Sequence, residues 1–129
     1  MPGVEHHDRR YLQDRVLEEI DRHRRHGHEF ALLIFEARPV SDGVPVRRKI
    51  DDALQILRES LRPSDVAVRA FDDLIAVLLI ETDRHGAADA LFRLRGRIAR
   101  LGGTTWHIDA YTYPADARAM NELSLLTAA

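Results

Sequence analysis

The sequence predicts an α+β fold in which a β-α-β-β-α-β succession builds one antiparallel sheet, with a helix added before it and a short helix after it. Three observations predict it. Apolar residues recur at helical spacing in stretches ended by Gly or Pro, short β-branched and aromatic runs alternate with those stretches, and an Asp-Asp turn joins two of the runs directly. Two β-α-β units split by a hairpin give the ferredoxin-like arrangement, with helices on one face of the sheet. At 129 residues the chain fits a single domain, residues 1–129, with one core.

The first helix runs from about Asp8 to His26, where Leu12, Val16, Leu17 and Ile20 recur at helical spacing, and ends near Gly27. Phe30-Ala31-Leu32-Leu33-Ile34-Phe35 is a short unbroken apolar run, the pattern of a buried strand. Arg38 to Pro45 holds two prolines, a glycine and Ser-Asp, and reads as a loop. A second helix presents Ile50, Leu54, Leu57 and Leu61 on one face, with Asp51-Asp52 near its start favoured by the helix dipole. Pro63 stops it by pushing Arg62 out of helical geometry.

Asp65 to Phe71 and Leu74 to Glu81 are two strands joined at Asp72-Asp73. A third helix is capped by Thr82 or Asp83, carries the stripe Ala87, Leu91, Leu94, Ile98 and Leu101, and stops at Gly102-Gly103. Thr104 to Tyr113 is the last strand, closed by Pro114. Trp106 and Tyr111, five residues apart, fall on its opposite faces. The last helix covers Ala117 to Thr127.

Composition narrows the function. A net charge of −2 gives no general attraction to nucleic acid or an anionic membrane. The absence of cysteine excludes disulfides and thiol chemistry. No apolar run approaches a membrane span and the N-terminus has no apolar signal core, so the expected location is the cytoplasm. All but one of the basic residues are Arg, which makes Arg-containing motifs easy to meet by chance.

Several segments in order resemble GGDEF domains, the diguanylate cyclase type. They are Arg9-Arg10-Tyr11-Leu12, Arg25-His26-Gly27 followed by Phe30-Ala31-Leu32-Leu33, Leu61-Arg62-Pro63-Ser64-Asp65-Val66-Ala67-Val68-Arg69, Ala76-Val77-Leu78-Leu79, and Tyr113-Pro114. The five signature positions read Phe71-Asp72-Asp73-Leu74-Ile75. In the family two glycines stand first and let the backbone approach GTP phosphates. Phe71 and Asp72 obstruct that approach, Leu74 replaces the acidic fourth residue, and only Asp73 keeps its type. Where the family sets two acids around one residue for magnesium, this chain has Glu36-Ala37-Arg38. The lysine and the Gly-His-x-x-Gly-Asp that follow in the family are missing, and Arg47 falls at the guanine-binding acidic position. Such sites need carboxylates and room for phosphate oxygens. The resemblance therefore implies a domain that makes no cyclic di-GMP and holds no cofactor.

It also implies a ligand. Family members carry an inhibitory Arg-x-x-Asp before the hairpin, and Arg62-Pro63-Ser64-Asp65 stands at that spacing. Arg62 can donate to guanine O6 and N7 or stack on the base, and Asp65 can accept from N1–H and N2–H. A second family arginine falls at Arg93. Arg62, Asp65 and Arg93 would bind cyclic di-GMP, as a single molecule or a stacked dimer. Arg-x-x-Asp also begins at Arg48 and Arg69, and a helix-end Arg with a turn Asp needs no ligand. His23, His26 and His28 lack the carboxylates or thiolates of a metal site and sit among Arg22, Arg24 and Arg25. Asp72-Asp73 is read as turn chemistry.

Three functions follow from the resemblance. The first is a cyclic di-GMP receptor that relays the signal to a partner. The second is a nucleotide-independent dimerisation or docking module, as a homodimer or with another protein. The third, GTP held without cyclisation, is opposed by Arg38, Arg47, Phe71 and Asp72.

Overall fold

Phe30–Pro39 forms β1 of a computed structural model that describes residues 2–40 and 42–126, with backbone alone for residues 2–7 and Pro39. Its unbroken apolar run reflects burial on both faces: Ala31, Leu33, Phe35 and Ala37 join one cluster, Phe30, Leu32 and Ile34 the other. The remaining strands are β2 (Val66–Phe71), β3 (Leu74–Leu79) and β4 (Thr104–Tyr113), in the order β2-β3-β1-β4 and antiparallel throughout. This is the expected βαββαβ sheet.

The helices are α1 (Pro2–His26), α2 (Val46–Glu59), α3 (Arg84–Ile98) and α4 (Ala117–Asn121). Ile50, Leu54, Leu57, Ala87, Leu94 and Ile98 place α2 and α3 against the first cluster. Leu12 and Val16 of α1 and Met120 of α4 cover the second, with Leu125 beyond them. The sheet is thus clothed on both sides, where the sequence reading put helices on one face. The added terminal helices are the second layer that the apolar even-numbered residues of β1 require. Trp106 packs with the first cluster and Tyr111 with the second, on opposite faces as expected.

Several boundaries differ from expectation. Arg38 and Pro39 continue β1, paired with Thr105 and Thr104, instead of opening a loop. Beyond the Ala37 N–H, which bonds the Asp73 carbonyl of the hairpin, β1 has no partner on the β3 side, so the missing N–H of Pro39 falls where no ladder bond is needed. Leu17 is 64 % exposed, because five residues from Leu12 turn it off the Leu12–Val16–Ile20 stripe; Glu19 is buried instead, 3.4 Å from Arg15 and 3.5 Å from Arg22. Helix α2 begins at Val46, so Asp51 and Asp52 lie past its first turn, and Asp51 pairs with Arg69 at 3.6 Å.

Leu61 follows the end of α2 and is partly buried. Leu101 leaves its stripe in a 3₁₀ turn, Ala99–Leu101, and is exposed. The last helix breaks after Asn121 and resumes as a 3₁₀ turn at Ser124–Leu126; Thr127 lies outside the described residues. Neither Asp72 nor Asp73 takes a positive φ, so the hairpin closes without a type I′ turn, and an irregularity between Arg69 and Phe71 absorbs the mismatch in twist.

The chain's sole lysine holds the β1–α2 connection. Lys49 is buried, with Nζ 2.9 Å from Asp42 and donating to the carbonyls of Val40 at 3.2 Å and Gly103 at 2.7 Å. The hydrogen bond from Lys49, helped by the Val44 N–H, lowers the Asp42 pKa below its ordinary 3.8. A carboxylate whose pKa falls on folding stabilises fully above its unfolded value and loses that contribution as pH drops through the folded one. Thermal melts of wild type and Asp42→Asn should therefore differ at neutral pH, and the gap should close as pH falls below the ordinary carboxylate value and through the lowered folded one. A gap that stays constant down to acid would remove the charge from this account.

Candidate functional site

The chain leaves α2 through a turn whose geometry is set by Arg62-Pro63-Ser64-Asp65. The Asp65 N–H donates to the Arg62 carbonyl at 3.0 Å, and Pro63 fixes φ at the second position. The Asp65 side chain is only 3 % exposed. Its Oδ2 accepts from the Arg62 backbone N–H at 3.2 Å and from Nε at 3.1 Å; its Oδ1 accepts from Arg62 Nη2 and from the Ile80 N–H, each at 3.1 Å. Arg62 Nη2 also donates to the Ile80 carbonyl and to Thr82 Oγ1.

The two residues thus form a fork-to-fork pair that clasps the start of β2 to the end of β3. Thr82 is part of the clasp, its hydroxyl donating to the Ile80 carbonyl at 2.9 Å, while Asp83 caps α3 by accepting from the Gly86 N–H at 2.8 Å. Between Thr82 and Asp83 as cap, the structure selects Asp83, and the sequence held no signal for the role of Thr82.

Arg62 keeps its outer side in solvent, its side chain 56 % exposed. Arg93 reaches back from α3, with Nη1 donating to the Ser60 carbonyl at 2.8 Å. Arg62, Asp65 and Arg93 all line one open cavity of about 550 Å³, with Gly86 and Ala90 of α3 on its wall. Three of the acids there are engaged, Asp65 by Arg62, Asp83 by its cap bond, and Glu81 by Arg22 at 3.3 Å, and Glu29 also lines the cavity. What faces the opening is a guanidinium plane with donors at its edge and a second arginine, beside a small-residue floor. Such a surface can stack on a planar base and hydrogen-bond an anionic or carbonyl oxygen.

The signature hairpin is built differently. Phe71 is half-buried against α1, with the Arg9 guanidinium 4.7 Å from its ring centroid. Leu74 packs against the same α1-side cluster. The Asp73 carbonyl accepts from the Ala37 N–H at 2.8 Å. Arg38 folds onto Glu36, donating to Oε1 at 3.1 and 3.3 Å. A carboxylate and a guanidinium therefore neutralise each other where the resemblance led to expect two carboxylates. His23 lies edge-on to Tyr113 with centroids 5.2 Å apart, and its Nδ1 is 3.0 Å from the His28 carbonyl, so it serves packing at the helix end. Arg47 is exposed at the start of α2.

No protein-family model and no curated protein sequence matches the chain. Solved structures do. A DGC protein from Thermotoga maritima superposes with a TM-score of 0.69 at 24% identity, over 90% of this chain and 94% of that one. Diguanylate cyclase SiaD of Pseudomonas aeruginosa, solved in complex with its activator SiaC, gives 0.70 at 21% identity; the match covers 88% of this chain and half, 50%, of SiaD. The GGDEF domain of YfiN from the same organism gives 0.59 at 22% identity, over 81% of this chain and 74% of that one. The likeness is one of fold: this chain has the architecture of a GGDEF domain.

Proposed function

We propose that this GGDEF-fold domain is a receptor for cyclic di-GMP that does not itself make the nucleotide. One observation carries the reading: Arg62, Asp65 and Arg93, matched to the family's inhibitory site by spacing alone, line the same open cavity. Cyclic di-GMP has two guanines and two phosphates, so it suits a site that offers an arginine face for stacking, forked donors and a second cation. Asp65 holds Arg62 by Nε and Nη2, which leaves Nη1 and the guanidinium face toward the opening.

Loss of synthesis is read from the old catalytic end. GTP there would meet Phe71 and Asp72 in place of glycines, and a metal ion would meet the Arg38–Glu36 pair. The receptor would pass its signal to a protein partner.

Isothermal titration with cyclic di-GMP, and with GTP and magnesium alongside, tests both halves. Saturable binding of cyclic di-GMP is expected. Arg62→Ala should weaken it about 10- to 100-fold, the usual loss for a charge-assisted hydrogen-bonding pair, and Arg93→Ala should weaken it less. GTP should not be turned over. A folded sample giving no heat with cyclic di-GMP would discard the receptor reading.

A second reading has its own support. The Asp65 carboxylate is satisfied without a ligand, by Arg62 and the Ile80 N–H, as in a purely structural clasp. On that reading the chain keeps only the fold and acts by docking to protein, and Arg62→Ala would change stability or association with no nucleotide present.

A further inference from the structure

We propose that the outer edge of β4 is a self-pairing surface, on which β4 of a second copy lies antiparallel about a two-fold axis at Ile108. This inference does not depend on the nucleotide reading. Strand β4 ends the sheet and pairs with β1 over ten residues, Thr104 to Tyr113, in unbroken register. Which of its backbone groups face outward can be read from its last turn. The Thr112 N–H donates to Asp116 at 2.9 Å and the Thr112 carbonyl accepts from the Asp116 N–H at 2.7 Å, so Thr112 turns away from β1. Alternation then turns Ala110, Ile108 and Trp106 outward as well. The Gly103 carbonyl, which faces β1 and bonds the Val40 N–H at 3.0 Å, agrees with that phase.

Free edges are ordinarily blunted by proline, lysine, a bulge or a cover. Strand β2, at the opposite edge, has two of these devices, a register irregularity and contact with α1, and Arg58 Nε also donates to its Ala67 carbonyl at 3.0 Å. Strand β4 contains no proline and no lysine, and has no bulge against β1. Its far end is closed by Asp116.

Hydrogen-bonding complementarity selects a second copy as the occupant. His107 and Asp109 stand side by side on one face, 3.4 Å apart and each about half exposed, at 52% and 50%. An axis at Ile108 sets His107 opposite Asp109 of the other copy, twice by symmetry. These are non-hydrogen-bonded pairs, in which side chains stand closest. The same register sets half-buried Trp106 opposite exposed Ala110, large against small. Sliding either way to the next register that preserves the ladder brings His107 against His107 or Asp109 against Asp109. The complementarity therefore fixes one alignment, the isologous pattern of a two-fold dimer.

Sedimentation velocity on the full chain over a concentration series tests this. Wild type should dimerise. His107→Asp, which opposes aspartates at both pairs, should weaken association about tenfold, and Asp109→His should weaken it comparably. The exchange His107→Asp with Asp109→His should restore it. Both substituted positions are about half exposed, so circular dichroism should show each variant folded. A wild type that stays monomeric to about 1 mM, single variants that dimerise like wild type, or an exchange that fails to restore association would each overturn the proposal.

Discussion

Asp65→Ala is expected to lower the unfolding free energy by about 3 kcal/mol, while Arg62→Ala, its partner in the same clasp, lowers it by about 1 kcal/mol. The asymmetry follows from burial. The Asp65 carboxylate is almost fully covered and accepts four hydrogen bonds, two of them from backbone N–H groups. Removing it leaves the Ile80 N–H without an acceptor at the end of β3 and strands the inner donors of Arg62. Removing the Arg62 side chain instead opens a half-exposed position to water. The Ile80 carbonyl keeps the Thr82 hydroxyl as donor, and Asp65 keeps the backbone N–H groups of residue 62 and Ile80, with water admitted where the guanidinium stood.

Urea denaturation of the two variants and of the double variant measures the difference. The double variant should cost less than the sum of the singles, because the two residues share their bonds. Equal costs for the two single variants would mean that Asp65 is not buried as described. The asymmetry also decides how ligand data are read. Lost nucleotide binding in Asp65→Ala can reflect a loosened turn, whereas lost binding in a stable Arg62→Ala speaks to recognition.

Much of this arrangement was legible in the sequence because it is local. The run from Phe30 to Phe35 lies in β1 as expected, whereas α2 ends at Glu59, ahead of Pro63, and α3 gives way after Ile98 to a 3₁₀ turn that Gly102 closes. What the sequence hid depends on contacts far along the chain. Leu17 and Leu101 are apolar residues whose exposure is decided by a degree of helical phase and by a tightened last turn. Glu19 and Lys49, charged and therefore assigned to the surface, are buried because partners reach them: Arg15 and Arg22 on the same helix, and Asp42 with the Gly103 carbonyl across the fold. At the candidate site the nearness of Arg62 and Asp65 could be read from a four-residue spacing. Their bonds to Ile80 and Thr82 could not, since these join strand ends fifteen to twenty residues apart.

Phe35→Ala is expected to be the most destabilising of these changes, by about 3–5 kcal/mol, with a fall in Tm of roughly 10–20 °C. Phe35 is fully buried in the middle of the central strand, paired with Ile75 on one side and Ile108 on the other. Its ring meets Trp106 edge-on at 6.5 Å, beneath the α2–α3 layer. No neighbour on a rigid sheet can collapse into the vacated volume, so both the transfer and the cavity costs apply. The fitting comparison is Phe71→Ala, the same change at the first signature position. Phe71 is half-buried at the hairpin and is covered chiefly by α1 and the Arg9 guanidinium, so about 1–2 kcal/mol is expected. Chemical denaturation of the pair separates two accounts of the altered hairpin. A small cost at Phe71 means the fold does not need the residue. A cost equal to that of Phe35 would mean that α1 depends on it, and that a glycine could not return to this position without loosening the helix that covers the sheet.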